Sequence, residues 1–483
     1  MGKKSIAKNF LYNSIYNLMK VLFPLLTIPY VSRILLSDGL GKVNYAITIV
    51  SWFLLFASLG IPRYGVREIA KYYNDSRKRN TCFTELFIIN AISTSLCVLA
   101  FYFLIFNLDY FDDRVTLYCV VSIQLVLNVF NVDWFYQGIE EYAYITKRSL
   151  FIKSLSLVLM FAFVRTHDDY IVYALIQSIA VACNYILNFI NLRKYIRFLT
   201  TGLNFKKHLT AVFILFSTQL AVNIYSLLDI TMLGIMCNDS VVGYYSNVHK
   251  IIVTISTVTA SLGGVMLPQM VRLIEEKNYE RLKEIAEKAL EIIVVMCVPM
   301  SVGLALLSKD LVIVLFGTDF SPCIKTMIIF SPFITISTVG NLFGTQLLMA
   351  LKKERILLYS VIGGAILNTI LNSFLIKLFQ QDGAALASVC TEFLVMIIQI
   401  VAVEQIIKIR LKKMFVIQCL FMLVIMSLIV ELCMIVMLNV YLKIFMAIFT
   451  GATGYFFIGY IVSNNAVLFI INKGTNYLKK VKK

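Results

Sequence analysis

Charged residues lie inside several long apolar segments of this sequence. Lys20 and Lys250 are cations, and Asp229 and Glu392 are carboxylates. A charged side chain at the centre of a membrane-spanning helix costs about 2.5–3.5 kcal/mol on insertion scales, so such residues face a protein interior or a wet cavity and mark functional sites. Two cations in one cavity suit an anionic headgroup. We therefore predict a substrate cavity that contains Lys20 and Lys250.

Other interpretations of the buried charges stay open. An ion pair between Asp229 and Lys250 would hold two neighbouring helices together without binding a substrate. His249 points about 100° away from Lys250 around a helix and is more typical of a packed histidine. Asp133 and Lys153 flank a short turn, where side chains that snorkel to the membrane surface would explain them.

Polar side chains also recur at helical spacing within the apolar segments. They form the sets Asn13, Asn17 and Lys20; Gln124, Asn128 and Asn131; Asn184, Asn188 and Asn191; and Gln219, Asn223 and Ser226. Positions i, i+4 and i+7 share one helix face, and a polar group facing lipid would be left unsatisfied. Each stripe therefore predicts either hydrogen bonds between helices or the lining of a cavity. The second interpretation adds Asn13, Asn17, Asn128, Asn188 and Asn223 to the predicted substrate cavity.

Two prolines interrupt the first apolar segment. Pro24 and Pro29 each remove a backbone hydrogen bond and favour a kink. A kinked helix that carries Lys20 predicts a hinge for alternating access, and a static kink is the alternative.

Composition restricts the class of protein. Apolar residues make up 59% of the 483 residues and charged residues 15%. Soluble domains are roughly 45–50% apolar and about 25% charged, so a soluble enzyme or a large extramembrane catalytic domain is excluded. The ten cysteines are scattered without a CxxC motif, and we expect no metal site, disulfide or cofactor.

Apolar segments of about 20 residues are long enough to span a bilayer. The sequence predicts an all-α integral membrane protein with fourteen spans at about residues 10–32, 43–62, 83–106, 115–135, 149–165, 170–192, 209–233, 244–268, 289–308, 324–349, 356–379, 383–405, 414–438 and 443–471. With the N-terminus in the cytoplasm, Lys and Arg favour the cytoplasmic side by about four to one. This bias predicts that both termini are cytoplasmic, and it explains the net charge of +17 without nucleic-acid binding.

An internal repeat is visible in matched landmarks. The pairs are Gly41 and Gly243, Pro62 and Pro268, Gly138 and Ala350, and Asp169 and Asp382. Their shared order predicts two parallel six-helix repeats around a central cavity, as in parallel-repeat transporters. The predicted domains are an N-terminal lobe at 1–200, a second lobe at 201–408, and two extra helices with a basic cytoplasmic tail at 409–483.

Several short segments carry a family resemblance. They are Pro29-Tyr-Val-Ser-Arg33, Gly39-Leu-Gly41, Asn44-Tyr-Ala46, Leu59-Gly-Ile-Pro-Arg-Tyr-Gly65, Arg67-Glu-Ile-Ala70, Asp133-Trp-Phe-Tyr-Gln-Gly138, Glu141-Tyr142 and Ile145-Thr146. Together with the predicted layout, the chain resembles polysaccharide repeat-unit (O-antigen or capsular) flippases of the Wzx type, within the multidrug/oligosaccharidyl-lipid/polysaccharide exporter superfamily. The sequence departs from related flippases in having few arginines within its spans, and a lysine binds phosphate as a point charge rather than a fork.

The resemblance implies a non-enzymatic flippase in the bacterial inner membrane. Its substrate would be an undecaprenyl-pyrophosphate-linked oligosaccharide, moved from the cytoplasmic to the outer leaflet by ion-coupled alternating access. Lys20 and Lys250 would then bind the headgroup, and Asp229 and Glu392 would be candidates for coupling an ion. A polysaccharide polymerase and a chain-length regulator are the expected protein partners.

Two other functions compete with this interpretation. A multidrug extruder of the same superfamily would need an acidic or aromatic cavity for cationic drugs, which Lys20 and Lys250 oppose. A membrane-embedded polymerase or glycosyltransferase would need a long outer loop or a loop carboxylate pair. The pairs Asp112–Asp113 and Asp168–Asp169 are more typical of solvated turns. A structural scaffold would not explain buried charges in both halves.

Overall fold

The computed structural model describes residues 6–264, 267–436 and 439–471. Every regular element within these ranges is helical, which confirms the predicted all-α membrane fold. The chain divides into two compact units, Met1–Gly243 and Tyr244–Lys483. The lobe boundaries at residues 200 and 408, and the cavity between the repeats, stay predictions.

The first unit begins with the longest helix of the chain. Its helices are α1 (Ile6–Ser58), α2 (Ile61–Lys71), α3 (Ser76–Asn107), α4 (Val115–Val126), α5 (Asp133–Gly138), α6 (Tyr142–Phe163), α7 (Tyr170–Leu192) and α8 (Lys206–Met236). Short 3-10 turns at Asp109–Arg114, Leu127–Phe130 and His167–Asp169 connect them. The next helix, α9 (Asp239–Gly264), begins at the end of this unit.

The second unit holds the remaining helices. They are α10 (Leu267–Glu275), α11 (Tyr279–Leu306), α12 (Ser308–Phe316), α13 (Cys323–Phe330), α14 (Phe333–Asn341), α15 (Glu354–Glu404), α16 (Lys413–Val436) and α17 (Val440–Ile461). A π-helix at Leu342–Leu348 continues α14. The final pair, α16 and α17, shares an apolar cluster with α11 that includes Val295, Met422 and Tyr455.

Length and hydropathy identify the membrane-spanning helices. Within the described residues, nine helical segments are long and apolar enough to cross a membrane, or ten if a bent pair in α8 counts as one span. Two of these nine run for 50 and 51 residues, more than twice the length that one span needs. The count of fourteen spans stays a prediction.

Each of the two longest helices contains a break with a left-handed backbone. Leu36 in α1 has φ 57°, and Gln380 in α15 has φ 50°. At the first break the carbonyl of Leu35 accepts a hydrogen bond from Nδ1 of His167 at 2.9 Å, so a group released from the helix is satisfied by a side chain. Pro24 and Pro29 lie inside α1 before this break, and their role as a hinge stays a prediction.

The core of the first unit is aromatic where α2, α3 and α5 meet. Phe83 stacks on Trp134 with ring centroids 5.3 Å apart and meets Phe135 edge-on at 5.4 Å. The short helix α2 places Ile61, Tyr64, Gly65 and Ile69 against this core and leaves its charged face outward. Its amphipathic sequence therefore fixes α2 as a surface helix packed on the ends of the longer helices.

Candidate functional site

A polar pocket lies between α2 and α5 in the first unit. It has a volume of about 400 Å³. Its lining combines charged, amide and apolar side chains: Pro62, Arg63, Val66, Asn131, Asp133, Trp134 and Gln137. This mixture of apolar walls with a few polar groups is typical of a small-molecule site.

Two glycines allow the helices that carry this pocket to approach closely. A Cβ at Gly65 of α2 would lie 2.3 Å from the Trp134 ring, and one at Gly138 of α5 would lie 2.8 Å from Ile69. The indole nitrogen of Trp134 donates to the carbonyl of Asn131 at 3.1 Å, which fixes the ring. The pocket wall is therefore held by close contacts rather than by a flexible loop.

A buried ion pair lies directly behind the pocket. Arg148 of α6 is 3.1 Å from Oδ1 of Asp133, and its side chain is only 4% exposed. Asn188 of α7 accepts from Arg148 and donates to Asp133. Tyr136 donates to the backbone carbonyl of Asn188 at 2.6 Å. The cluster ties α5, α6 and α7 together, and it presents a quarter-exposed carboxylate to the pocket.

The remaining polar groups of the pocket have room to bind a ligand. Arg63 is exposed and has no ion-pair partner among the described residues. Asn131 donates to Oδ1 of Asn128 at 3.2 Å, which leaves its own side-chain oxygen for a ligand. Gln137 lies half-buried on the same wall. The pocket thus offers one cation, one carboxylate and two amides.

A second buried cluster lies on the other side of α2. Glu85 of α3 is fully buried and accepts from Lys207, from His208 and from the backbone N–H of Asn204. Tyr64 of α2 lies 2.8 Å from Nδ1 of His208. Because Glu85 has at least three donors, its charge is compensated inside the protein. This cluster joins α2 and α3 to the start of α8.

A further ion pair joins two connections of the first unit. Arg114 donates from both terminal nitrogens to the carboxylate of Asp239, at 2.7 and 2.6 Å. This bidentate geometry is the strongest form of an arginine–carboxylate pair. It links the turn before α4 to the start of α9.

The predicted polar stripes have traceable partners. Asn128 is buried and donates to Thr94 at 3.1 Å, and its oxygen accepts from Ser58 at 3.2 Å. Asn188 belongs to the cluster of Asp133 and Arg148. Asn223 is exposed and donates to the carbonyl of Gln219 one turn earlier at 2.8 Å. The first two amides therefore connect helices, and Asn223 is on the surface of its own unit.

The predicted charged residues are distributed over both units. The side chains of Asn13, Asn17 and Lys20 lie outside the described residues. Asp229 is buried in the first unit, and Lys250 is half-buried in the second. The cationic cavity and the ion pair between Asp229 and Lys250 stay predictions.

Glu392 lies on the inner face of α15. A Cβ at Gly340 of α14 would be 3.6 Å from its carboxylate and 3.8 Å from the amide oxygen of Gln399. Gln399 donates to Ser360 at 3.2 Å. The carboxylate thus faces a small residue and neutral polar groups, and its assignment to ion coupling stays a prediction.

Sequence reasoning singled out Asn131 and Asp133 but missed Arg63 in the pocket and Arg148 behind it. The sequence places both arginines only among the basic residues on the predicted cytoplasmic side, although Arg63 lies within a segment that carries the family resemblance and Arg148 lies shortly after another. Asp133 was explained by snorkelling, whereas it pairs with Arg148. Within the described residues, no three of the His, Cys, Asp and Glu side chains are grouped as metal ligands.

Comparisons with known proteins identify relatives of the chain. The family described as "Polysaccharide biosynthesis protein" matches residues 6–274, more than half of the sequence. A protein of Escherichia coli strain K12 named "Putative O-antigen transporter" is 24% identical over 412 residues, which is 82% of this chain and 95% of that protein.

Solved structures show the same fold. The lipid II flippase MurJ in an inward closed conformation has a TM-score of 0.76 at 14% identity, covering 94% of this chain and 98% of its own. An inward-facing multidrug resistance transporter of the MATE family has a TM-score of 0.58 at 13% identity, covering 80% of this chain and 97% of its own. The family match confirms the predicted polysaccharide family, and the two solved structures confirm the predicted fold. The chain belongs to the polysaccharide biosynthesis protein family, as a multi-pass helical membrane protein with the transporter fold that MurJ and MATE proteins share.

Proposed function

We propose that this protein is a flippase for a lipid-linked oligosaccharide in the bacterial inner membrane. The observation that carries the proposal is the flippase fold, shared with MurJ over 94% of the chain, in a member of a polysaccharide biosynthesis family. The substrate would be an undecaprenyl-pyrophosphate-linked repeat unit. It would move from the cytoplasmic to the outer leaflet, where a polymerase and a chain-length regulator would use it.

The direction of transport follows from the predicted topology. The basic segments 63–82, 136–148 and 193–208 lie on the side predicted to be cytoplasmic. The pocket between α2 and α5 opens beside the first two of these segments. A repeat unit assembled in the cytoplasm would meet the protein at this side.

The proposed transport mechanism depends on the charged and polar residues that the sequence places within the predicted spans. Lys20 and Lys250 would attract the anionic headgroup, with Asn13, Asn17, Asn128, Asn188 and Asn223 as further cavity candidates. Asp229 or Glu392 would bind the coupling ion, because an ionisable residue within a membrane-spanning segment marks an ion pathway. Bending of α1 near Pro24 and Pro29 would contribute to alternating access.

Depletion of the protein tests the proposed function. Lipid-linked oligosaccharides would be labelled in intact cells with a reagent that reacts with sugars but cannot cross the membrane. We expect repeat units to accumulate unlabelled on the cytoplasmic side, with loss of surface polymer, and we expect Lys20→Ala to restore transport poorly.

Two outcomes would overturn the proposal. Repeat units that reach the outer face normally but remain unpolymerised would indicate a polymerase. Normal repeat units together with accumulation of toxic small cations would indicate a drug extruder, which the MATE likeness makes the second candidate.

Ion coupling is tested by one substitution with a matched control. Glu392→Gln removes the charge but keeps the shape, whereas Glu404→Gln changes an exposed carboxylate near the end of the same helix. We expect Glu392→Gln to reduce transport at least tenfold and to make it insensitive to the ion gradient. Equal transport by both variants would exclude Glu392 from coupling.

A further inference from the structure

The pocket between α2 and α5 combines groups that no single simple ligand would need. Arg63 requires an anion, whereas Asp133, Asn131 and Gln137 suit hydroxyl or amide groups. We propose that this pocket is a docking site for the sugar phosphate at the lipid-proximal end of the substrate. The inference rests on the proposed flippase function and assigns substrate recognition to residues that were not among those predicted to line the cavity.

Electrostatics favours an anion at one end of the pocket. Asp133 would repel a phosphate if its charge were uncompensated, but Arg148 lies 3.1 Å from it and is almost completely buried. Arg63 has no such partner among the described residues, so its charge is available to a ligand. The end of the pocket at Arg63 is therefore cationic, and a guanidinium binds phosphate through paired hydrogen bonds.

Neutral polar groups favour a sugar beside that anion. Oδ1 of Asp133 is occupied by Arg148 and Asn188, which leaves the second carboxylate oxygen for a hydroxyl. The side-chain oxygen of Asn131 and the amide of Gln137 add acceptors and donors on the same wall. Pro62, Val66 and Trp134 supply apolar surface for the C–H faces of a pyranose ring.

The size and stiffness of the pocket suit a ligand of one sugar residue rather than a whole oligosaccharide. A volume of about 400 Å³ is at the small end of ligand pockets. The contact of Gly65 with Trp134 and that of Gly138 with Ile69 hold its walls in place before any ligand arrives. Because a preformed site loses little freedom on binding, even a small headgroup can be retained.

Binding to the purified full-length protein tests the site directly. The probe is a radiolabelled short-chain polyprenyl pyrophosphate that carries one N-acetylglucosamine, compared with the same lipid pyrophosphate without sugar and with N-acetylglucosamine 1-phosphate. We expect Arg63→Ala to weaken probe binding at least tenfold, because the paired charge-assisted hydrogen bonds to the phosphate are lost. Arg63→Lys should restore part of the affinity, and Gln137→Ala should reduce the preference for the sugar-bearing probe.

A matched control separates the pocket from general surface charge. Arg67 is an exposed arginine on the same helix that lies over the Tyr64 ring and outside the pocket. Arg67→Ala should bind the probe within twofold of the unchanged protein. Equal loss in the Arg63 and Arg67 variants would overturn the proposal, because it would show attraction to surface charge only. A lipid pyrophosphate that binds as tightly without sugar as with it would also overturn it.

Transport measured on the same variants distinguishes the two proposals. If the double variant Arg63→Ala with Gln137→Ala transports repeat units as well as the unchanged protein does, the docking site is refuted and the flippase function stands. If probe binding depends on Arg63 but the unchanged protein transports no repeat unit, the flippase function is refuted and the sugar phosphate site stands. We expect both binding and transport to fall in the pocket variants.

Discussion

The two units of this protein bury different kinds of polar group. In the first unit, one charge of each buried pair lies more than one turn inside a helix, as with Arg148 of α6, which pairs with Asp133, and Glu85 of α3, which pairs with Lys207. In the second unit, the pairs Lys325–Asp382 and Lys443–Asp310 lie at helix starts or beside the break in α15.

The interior of the second unit contains pairs of neutral polar groups. Asn372 donates to Asn368 at 3.1 Å, and Gln399 donates to Ser360 at 3.2 Å. The hydroxyls of Thr259 and Thr338 lie 2.7 Å apart. Gln399 packs so closely on the π-helix that a Cβ at Gly344 would lie 2.4 Å from its oxygen.

The difference shows that two helical units of one chain can differ in their side-chain chemistry. Hydropathy alone sets where helices span, whereas side-chain partners decide which of them can tolerate charge. The first unit concentrates compensated charge beside the pocket between α2 and α5. In the second unit, the carboxylate of Glu392 lies beside Gly340 of α14, as does the amide of Gln399.

The largest expected effect comes from breaking the buried ion pair of the first unit. Arg148→Ala leaves Asp133 without its cation, and removing one partner of a buried pair costs about 3–5 kcal/mol. We expect most of the Arg148→Ala protein to be unfolded after heating. Size-exclusion chromatography measures the folded protein that remains. In the second unit, Asn368→Ala should cost only about 1–3 kcal/mol, because a neutral hydrogen bond is lost.

A double variant gives the control for that prediction. Arg148→Met combined with Asp133→Asn removes both charges and should recover much of the stability that Arg148→Ala loses. If the double variant is no more stable than the single one, uncompensated charge is not the cause of the loss.

Glycine substitutions compare close packing in the two units. Gly65→Ala would force a methyl group into the Trp134 ring and should cost about 1–3 kcal/mol, seen as a lower midpoint of thermal unfolding. Gly303 of α11 has no atom within 4 Å of an added Cβ. Gly303→Ala should be neutral or stabilising by up to about 1 kcal/mol, because alanine favours helix. Similar losses in both variants would contradict the packing argument.

Ion-pair geometry provides a smaller contrast. Arg114 donates two hydrogen bonds to Asp239. Lys325 instead forms an ion pair with Asp382 through its single Nζ, which lies 3.4 Å from Oδ2. Arg114→Lys should cost about 1 kcal/mol because the second bond is lost. Lys325→Ala should cost less than about 1 kcal/mol, since that lysine is mostly exposed. Unfolding midpoints at low and high salt measure both, and the reverse order would refute the comparison.

The smallest expected effect concerns two helix N-caps. Asp75 caps α3 and Asn278 caps α11, each accepting from a backbone N–H three residues later. The backbone N–H of Lys78 holds the pKa of the Asp75 carboxyl below its ordinary value of 3.8. The cap is therefore fully present above pH 3.8 and weakens as pH falls through the lower, folded-state pKa.

Hydrogen exchange at the first turns of α3 and α11 measures this contrast. Below pH 3.8, protection should fall in α3 relative to α11, because an amide cap does not titrate. Asp75→Asn should abolish the difference. An equal fall in both helices would indicate general acid unfolding instead.

The fold was predictable from the sequence to a large extent, and the pocket was not. Apolar segments of spanning length are a local property, so the helix predicted at 209–233 lies within α8, and those predicted at 289–308 and 414–438 overlap α11 and α16. The partners of Asp133 are Arg148, 15 positions away, and Asn188, 55 positions away. No periodic pattern connects residues at those separations, and the sequence therefore assigned Asp133 to the membrane surface.

The sequence by itself determined that this chain is a helical membrane protein, which motifs it carries, and which face of each helix is polar. Those properties depend on composition and on residues within two turns of one another. Only the tertiary structure decided that Trp134 would pack against Gly65 and that Arg148 would neutralise the charge of Asp133. It also decided that Arg63 would line the pocket without an ion-pair partner among the described residues. Compensation of charge and close packing are contacts between distant segments, and they exist only once the helices have assembled.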